Sequence, residues 1–292
     1  MIRDQDQAAS LRRMAAGSLR APSFAFIGSP GCGVTTIVAE LSTSLALNGA
    51  RPMAIDGCAG QHLARCLGVP ATATLESQVV SLAGLDEMMT RSRHDVTLVN
   101  LYARPEERAL FSAQLWLRLG GAFAALERDA SVLLVDAPDP AFDPIPASVA
   151  DNLVLILSPA PESLTGAYAA IKRLSTQFGR QCFNVLINRA RHLEEARELF
   201  ARLSSVAAEF LAVSLRWVGF VPEDNAIRRS QTLHRPLMEA FVQSEAAAAF
   251  GQLGLVLPQW HTPETGRIST GFMDMLIAAS RDWAEQGVRE WP

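Results

Sequence analysis

The residues best able to do chemistry sit together in 23–41, SFAFIGSPGCGVTTIVAEL. A short apolar run (Phe24, Ala25, Phe26, Ile27) enters a loop holding Gly28, Gly31 and Gly33, and Thr35 and Thr36 then open an apolar helix. This is the strand, glycine-rich loop and helix of a phosphate cradle. Glycines let backbone N–H groups turn inward, the helix N-terminus adds partial positive charge, and a Thr at the loop's end can reach a Mg²⁺ ion. The common lysine-containing form, G-x-x-x-x-G-K-[ST], has its lysine where this chain has Val34. The sequence contains one lysine, Lys172, far from the loop, and no arginine lies inside the loop.

Two acidic residues end predicted strands behind that loop. Asp56 closes the strand expected at 52–56, and Asp136 closes the apolar run SVLLVD at 131–136. A carboxylate at the second position can hold Mg²⁺ through water or orient an attacking water. Other chemistries fit less well. The four cysteines (Cys32, Cys58, Cys66, Cys182) have neither zinc-ligand spacing nor a dense disulfide pattern, and the five histidines are scattered. GSPGCG at 28–33 matches a spaced-glycine dinucleotide pattern only loosely, so a dehydrogenase is a weak alternative.

With 292 residues, 49% of them hydrophobic and 19% charged, the chain can build one substantial core with short appendages. The net charge of −4 gives no reason to expect a nucleic-acid-binding surface. No signal-peptide pattern opens the sequence and no apolar run reaches the ~18 residues of a membrane span, so the expected home is a reducing cytoplasm.

These residues must be positioned by alternating strands and helices. Strands are expected at 52–56, 95–101, 131–136, 152–158, 182–188 and 214–221. Helices are expected from the loop to about 48, over 105–127, 162–177 and 193–212, and around 223–231 and 241–252, with short edge helices in 60–92. Continuous apolar strands between helices predict an α/β fold with a doubly wound, mostly parallel sheet, whose ligands bind at strand C-terminal ends. Gly28, Asp56, Asp136 and Asn188 all fall there. Residues 1–20 read as a short helical leader, 23–256 as the core domain, and 257–292 as a polar linker followed by an amphipathic helix. That helix carries more acids than bases, which favours docking onto protein over a membrane surface.

The order of motifs resembles the MinD/ParA family of P-loop ATPases, and within it the flagellar-number regulators of the FlhG/FleN type. The family loop K-G-G-x-G-K-T aligns with 29–35 (SPGCGVT), and its D-x-D with Asp56-Gly57-Cys58. Asp136 falls on the switch II aspartate. PAPESLTGAYAAIKRL (159–174), FNVLINRARHLEEARELFARL (183–203) and WVGFVPEDNAIRRS (217–230) match further motifs, up to about residue 255. The resemblance implies ATP or ADP with Mg²⁺ held by Thr35, Asp56 and Asp136. It also implies a base contact from Asn188, base-side roles for Pro222 and Asp224, and a homodimer formed on nucleotide. DQAASLRRM (6–14) resembles the D-Q-A-x-x-L-R leader of FlhG-type proteins. In that family Asp6, Gln7, Ala8, Leu11 and Arg12 would act on an FlhF-type signal-recognition GTPase, with the Gln beside its nucleotide. Relatives also restrain a flagellar transcriptional activator.

The departures are equally specific. Ser29 and Val34 replace both signature lysines, Cys58 replaces the second carboxylate of D-x-D, Pro140 replaces a switch II glycine, and Gly166 replaces an aspartate. Pro30 also removes one N–H from the loop. Phosphoryl transfer depends on positioning and on neutralising developing charge, so these losses predict a pseudo-ATPase with weak or absent ATP binding that keeps its regulatory leader. The alternatives are an active MinD-like switch that dimerises on ATP and meets the inner membrane or cell pole through its C-terminal helix, and a degenerate relative from a cellulose-secretion or partition system.

Overall fold

The computed structural model describes residues 20–77, 85–260 and 271–286. Its centre is an eight-stranded sheet. β1 (Ser23–Gly28), β2 (Pro52–Asp56), β3 (Met89–Arg91), β4 (Thr97–Asn100), β5 (Val132–Asp136), β6 (Asn152–Leu157), β7 (Cys182–Ala190) and β8 (Ser214–Pro222) lie in the order β3-β4-β2-β5-β1-β6-β7-β8. All neighbours are parallel except β3, which pairs antiparallel with β4. The four inner strands β1, β2, β5 and β6 are buried along almost their whole length, which is why they read as unbroken apolar runs.

Helices cover both faces. On one lie α1 (Val34–Leu47), α2 (His62–Leu67), α8 (Asn225–Leu233), α9 (Leu237–Ala240) and α10 (Glu245–Val256). On the other lie α3 (Pro105–Ala109), α4 (Ala113–Asp129), α5 (Ile145–Val149), α6 (Pro161–Phe178), α7 (Leu193–Phe210) and α11 (Phe272–Gln286). This is the expected doubly wound α/β architecture.

Two local expectations need correction. The stretch 60–92 contains strand β3 as well as short helices; three residues cannot display an alternation in sequence, and pairing with β4 decides their conformation. The helix expected over 105–127 is broken into α3 and α4. Phe111 turns inward at the break, and the Ser112 hydroxyl caps α4 by accepting from the Leu115 N–H at 3.2 Å. An ion pair of 2.6 Å between the buried Arg108 and Asp143 fixes α3 to the loop after β5.

The helix carrying the glycine-rich loop, α1, is gripped from several sides. Its buried Glu40 carboxylate accepts from the Leu237 and Met238 N–H groups at 2.7 and 3.2 Å, which caps α9. Ser44 donates to the Phe250 carbonyl of α10 at 3.0 Å, and a Cβ on Gly254 would collide with the Ser44 hydroxyl. The loop therefore rests on a helix with little freedom to shift.

The C-terminal helix α11 docks on the core against α3, α4 and α5. Its Phe272, Met273 and Leu276 are at most 2% exposed, and the Glu127 carboxylate of α4 accepts from the Met273 N–H at 2.7 Å. In this arrangement its apolar face is already occupied. The Phe272→Ala variant should lose about 3–5 kcal/mol of stability by the cavity it leaves, measured as a lowered midpoint in urea unfolding.

Candidate functional site

Gly28 ends β1 where the backbone runs closest to its neighbours: a Cβ there would lie 2.5 Å from Cys32 Sγ and 2.9 Å from the Ile156 carbonyl. The loop then turns over Pro30 and Gly31, with Cys32 N–H donating to the Ser29 carbonyl at 3.1 Å. Gly33 caps α1 in the left-handed region at φ 94°, and no side chain caps the helix. No side chain therefore covers the first turn of α1, where an anion would meet its backbone N–H groups.

That helix end opens into a cavity of about 600 Å³. Its floor includes Ser29, Val34 and Thr35, and Cys58 and Asp136 stand beside them. One wall is α2, through His62, Arg65 and Cys66; another is the end of α8, through Gln231 and His234. Gln231 reaches across to donate to the Thr36 hydroxyl at 2.8 Å.

The two strand-end aspartates face each other in register across β2 and β5. Each is 1% exposed and each has an Oδ2 with no hydrogen-bond partner among the described residues. Burial pushes Asp136 up to about 7, the adjacent Asp56 carboxyl adds to the rise, and the Thr35 hydroxyl opposes it. Burial likewise pushes Asp56 up to about 6. Asp56 Oδ1 accepts from the Cys58 N–H at 3.0 Å, and its carboxyl stays behind the cavity wall.

Cys58 does line the cavity and points its thiol at the Asp136 carbonyl, 3.6 Å away. Burial and the two aspartates drive that thiol far upward; burial lifts Cys32 to about 11, and burial with Glu40 and Asp136 lifts Cys66 to about 12. At neutral pH all three are protonated thiols, unsuited to act as base or nucleophile.

Of the residues singled out from sequence, Gly28, Gly31, Gly33, Thr35, Thr36 and Asp136 come together at the cavity. Asn188 lies behind the loop, 4% exposed, and donates from Nδ2 to the Cys32 carbonyl at 2.7 Å. It ties the loop to β7. Asp224 accepts from the Ala226 and Ala246 N–H groups at 2.7 and 3.2 Å and so caps α8 and holds the start of α10; Pro222 ends β8 opposite Ala190. Neither reaches the cavity wall. Asp6, Gln7, Ala8, Leu11 and Arg12 fall outside the described residues. Sequence reasoning missed the cations. Arg65 and Arg189 both border the cavity, and Arg189 comes from the end of β7, brought there by strand order and by no local pattern in the sequence.

These residues suit a phosphate-bearing ligand. The uncapped start of α1 would meet its oxygens, while the Thr35 hydroxyl and the unpartnered Asp136 oxygen fit an accompanying Mg²⁺, which would neutralise phosphate charge. Hydrolysis is less well served. No lysine borders the cavity, and Asp139, the other carboxylate on its wall among the described residues, accepts from the Ala141 N–H at 2.8 Å through Oδ1.

No family model matches the chain. Among solved structures, the cell division ATPase MinD of Pyrococcus furiosus superposes with a TM-score of 0.63 at 19% identity, covering 82% of this chain and 99% of MinD. MinD of Pyrococcus horikoshii, complexed with Mg-ADP, gives 0.61 at 18% identity over 81% and 96%. These likenesses establish the fold. In sequence, the antiactivator FleN of Pseudomonas aeruginosa is 30% identical over 243 residues, 82% of this chain and 87% of FleN. The chain belongs to the MinD/ParA family of P-loop ATPases. Within it the chain resembles the FlhG/FleN type. An uncharacterized ATP-binding protein of Methanocaldococcus jannaschii is 24% identical over 79% of this chain and 84% of its own length.

Against the MinD/ParA loop, two departures prove to be neighbours. A Cβ on Gly166 would collide with the Ser29 hydroxyl. The family lysine and the family aspartate at these two places are opposite charges, and here both are replaced by small neutral residues in contact.

The raised carboxyls set a pH dependence. A carboxyl whose folded pKa lies above its unfolded value contributes stability below about pH 4, and that contribution is lost as pH rises through the folded value. Stability should therefore fall between about pH 4 and pH 7 through Asp56 and Asp136, with Glu40, raised to about 7, adding the same sign. The Asp136→Asn variant should be about 1–3 kcal/mol more stable than the parent at pH 8 and show a shallower slope, read from melting temperatures across pH 5–8.

Proposed function

We propose that this chain is an FlhG-like regulator of flagellar number and placement that works through its leader, with its own ATP hydrolysis lost. The observation that carries the reading is the cavity itself. The cradle is kept, yet Val34 stands on its wall at the position of the family lysine and Cys58 at that of the family carboxylate. Without that lysine and that carboxylate the cradle lacks two of the groups that stabilise and position phosphoryl transfer.

Similarity to an antiactivator over 82% of the chain supports a regulatory role, including restraint of a flagellar transcriptional activator. DQAASLRRM at 6–14 supports a second partner, an FlhF-type GTPase, with Gln7 placing the hydrolytic water. The reading puts the protein in the cytoplasm, at the inner membrane or cell pole when bound to partners, and able to form a homodimer. The burial of the apolar face of α11 favours it over a membrane-cycling ATPase, and no described helix is long and apolar enough to cross a membrane.

The test is GTP hydrolysis by the cognate FlhF-type GTPase with the full-length chain or its Gln7→Ala variant. The parent should raise the rate at least tenfold and the variant should not; equal rates with and without the parent would sink the GTPase-activator reading. Steady ATP turnover by the chain itself should stay at background and be unchanged by Thr35→Ala.

A further inference from the structure

Arg189 is held in an unusual place. It is the unmatched residue of an irregularity in the β7–β8 pairing, between Asn188 opposite Val221 and Ala190 opposite Pro222. Its φ is 61°, in the left-handed region, which crowds the Cβ of any residue with a side chain. Bulges and such backbone conformations gather where a strand must re-aim a side chain at a site.

The side chain is aimed at the loop. Arg189 Nη2 lies 3.9 Å from where a Cβ on Gly33 would stand, beside the first turn of α1, and the guanidinium borders the cavity. It is exposed and has no ion-pair or hydrogen-bond partner among the described residues. Arg65, across the cavity, is instead engaged with His62 and the Gly60 carbonyl. The preceding residue, Asn188, bonds the Cys32 carbonyl, so the cation and the cradle are fixed to each other. A second feature points to a charged ligand in the same space: the unpartnered, buried Asp136 oxygen on the cavity wall calls for a cation, such as the one that travels with a polyphosphate.

We propose that Arg189 supplies the positive charge that the loop lacks, and that the cavity binds a nucleoside polyphosphate with its phosphates between the start of α1 and this guanidinium. A planar fork suits phosphate oxygens and carries its charge at every physiological pH. Arg189 holds the phosphates; with Cys58 in place of a carboxylate, binding does not entail hydrolysis. The leader-based reading stands separately, since it is decided by GTPase stimulation and the Gln7→Ala variant.

The test is calorimetric titration of the full-length chain with ADP and with pyrophosphate, each with Mg²⁺. The parent should bind both. Arg189→Ala should weaken both at least tenfold, and Arg189→Lys should recover part of the loss. Arg189→Gly separates binding from backbone structure: it should lose affinity as Arg189→Ala does, while its melting temperature without ligand stays equal or rises. Binding of ADP and pyrophosphate to Arg189→Ala as tight as to the parent, or no binding to the parent, would overturn the proposal.

Discussion

The parallel pairing of β1 between β5 and β6 is the constraint on which the rest of the structure depends. These strands are buried on both faces, so their backbone groups must be satisfied by one another and their register is fixed. Their C-terminal ends then fall level. Phe26 lies opposite Asp136, and Gly28 opposite Ile156, whose carbonyl leaves no room for a side chain. The loop can leave β1 in one direction only, and α1, pinned by Glu40 and Ser44, receives it.

The same packing explains the electrostatics. Level strand ends bring Asp56 and Asp136 side by side in a deeply buried region, where two charges are costly. Their protons are held more tightly than in an unfolded chain. A cation in the cavity would oppose that tendency, so ligand and proton occupancy are linked through one buried pair.

Much of the fold was legible in sequence because buried parallel strands leave unbroken apolar runs with helices between them. The loop and the two aspartates were legible too, since their spacing is local. What escaped notice depended on tertiary placement. β3 is three residues long, and the interruption at Phe111 and Ser112 lies inside an apolar stripe that continues across it. Arg189 belongs to β7, two strands from β1, and reaches the loop only because β6 lies between them in the sheet. Asn188 was expected at the base; that its amide also secures the cradle depends on strand order and could not be read from the sequence.

The contact between Ser29 and Gly166 makes the present state of the loop hard to leave. A lysine returning at 29 alone would find no carboxylate at 166, and an aspartate returning at 166 alone would crowd the Ser29 hydroxyl. Each single step brings a charge or a clash into a closely packed spot without its partner. The two positions are therefore coupled: what residue 166 can be depends on what stands at residue 29.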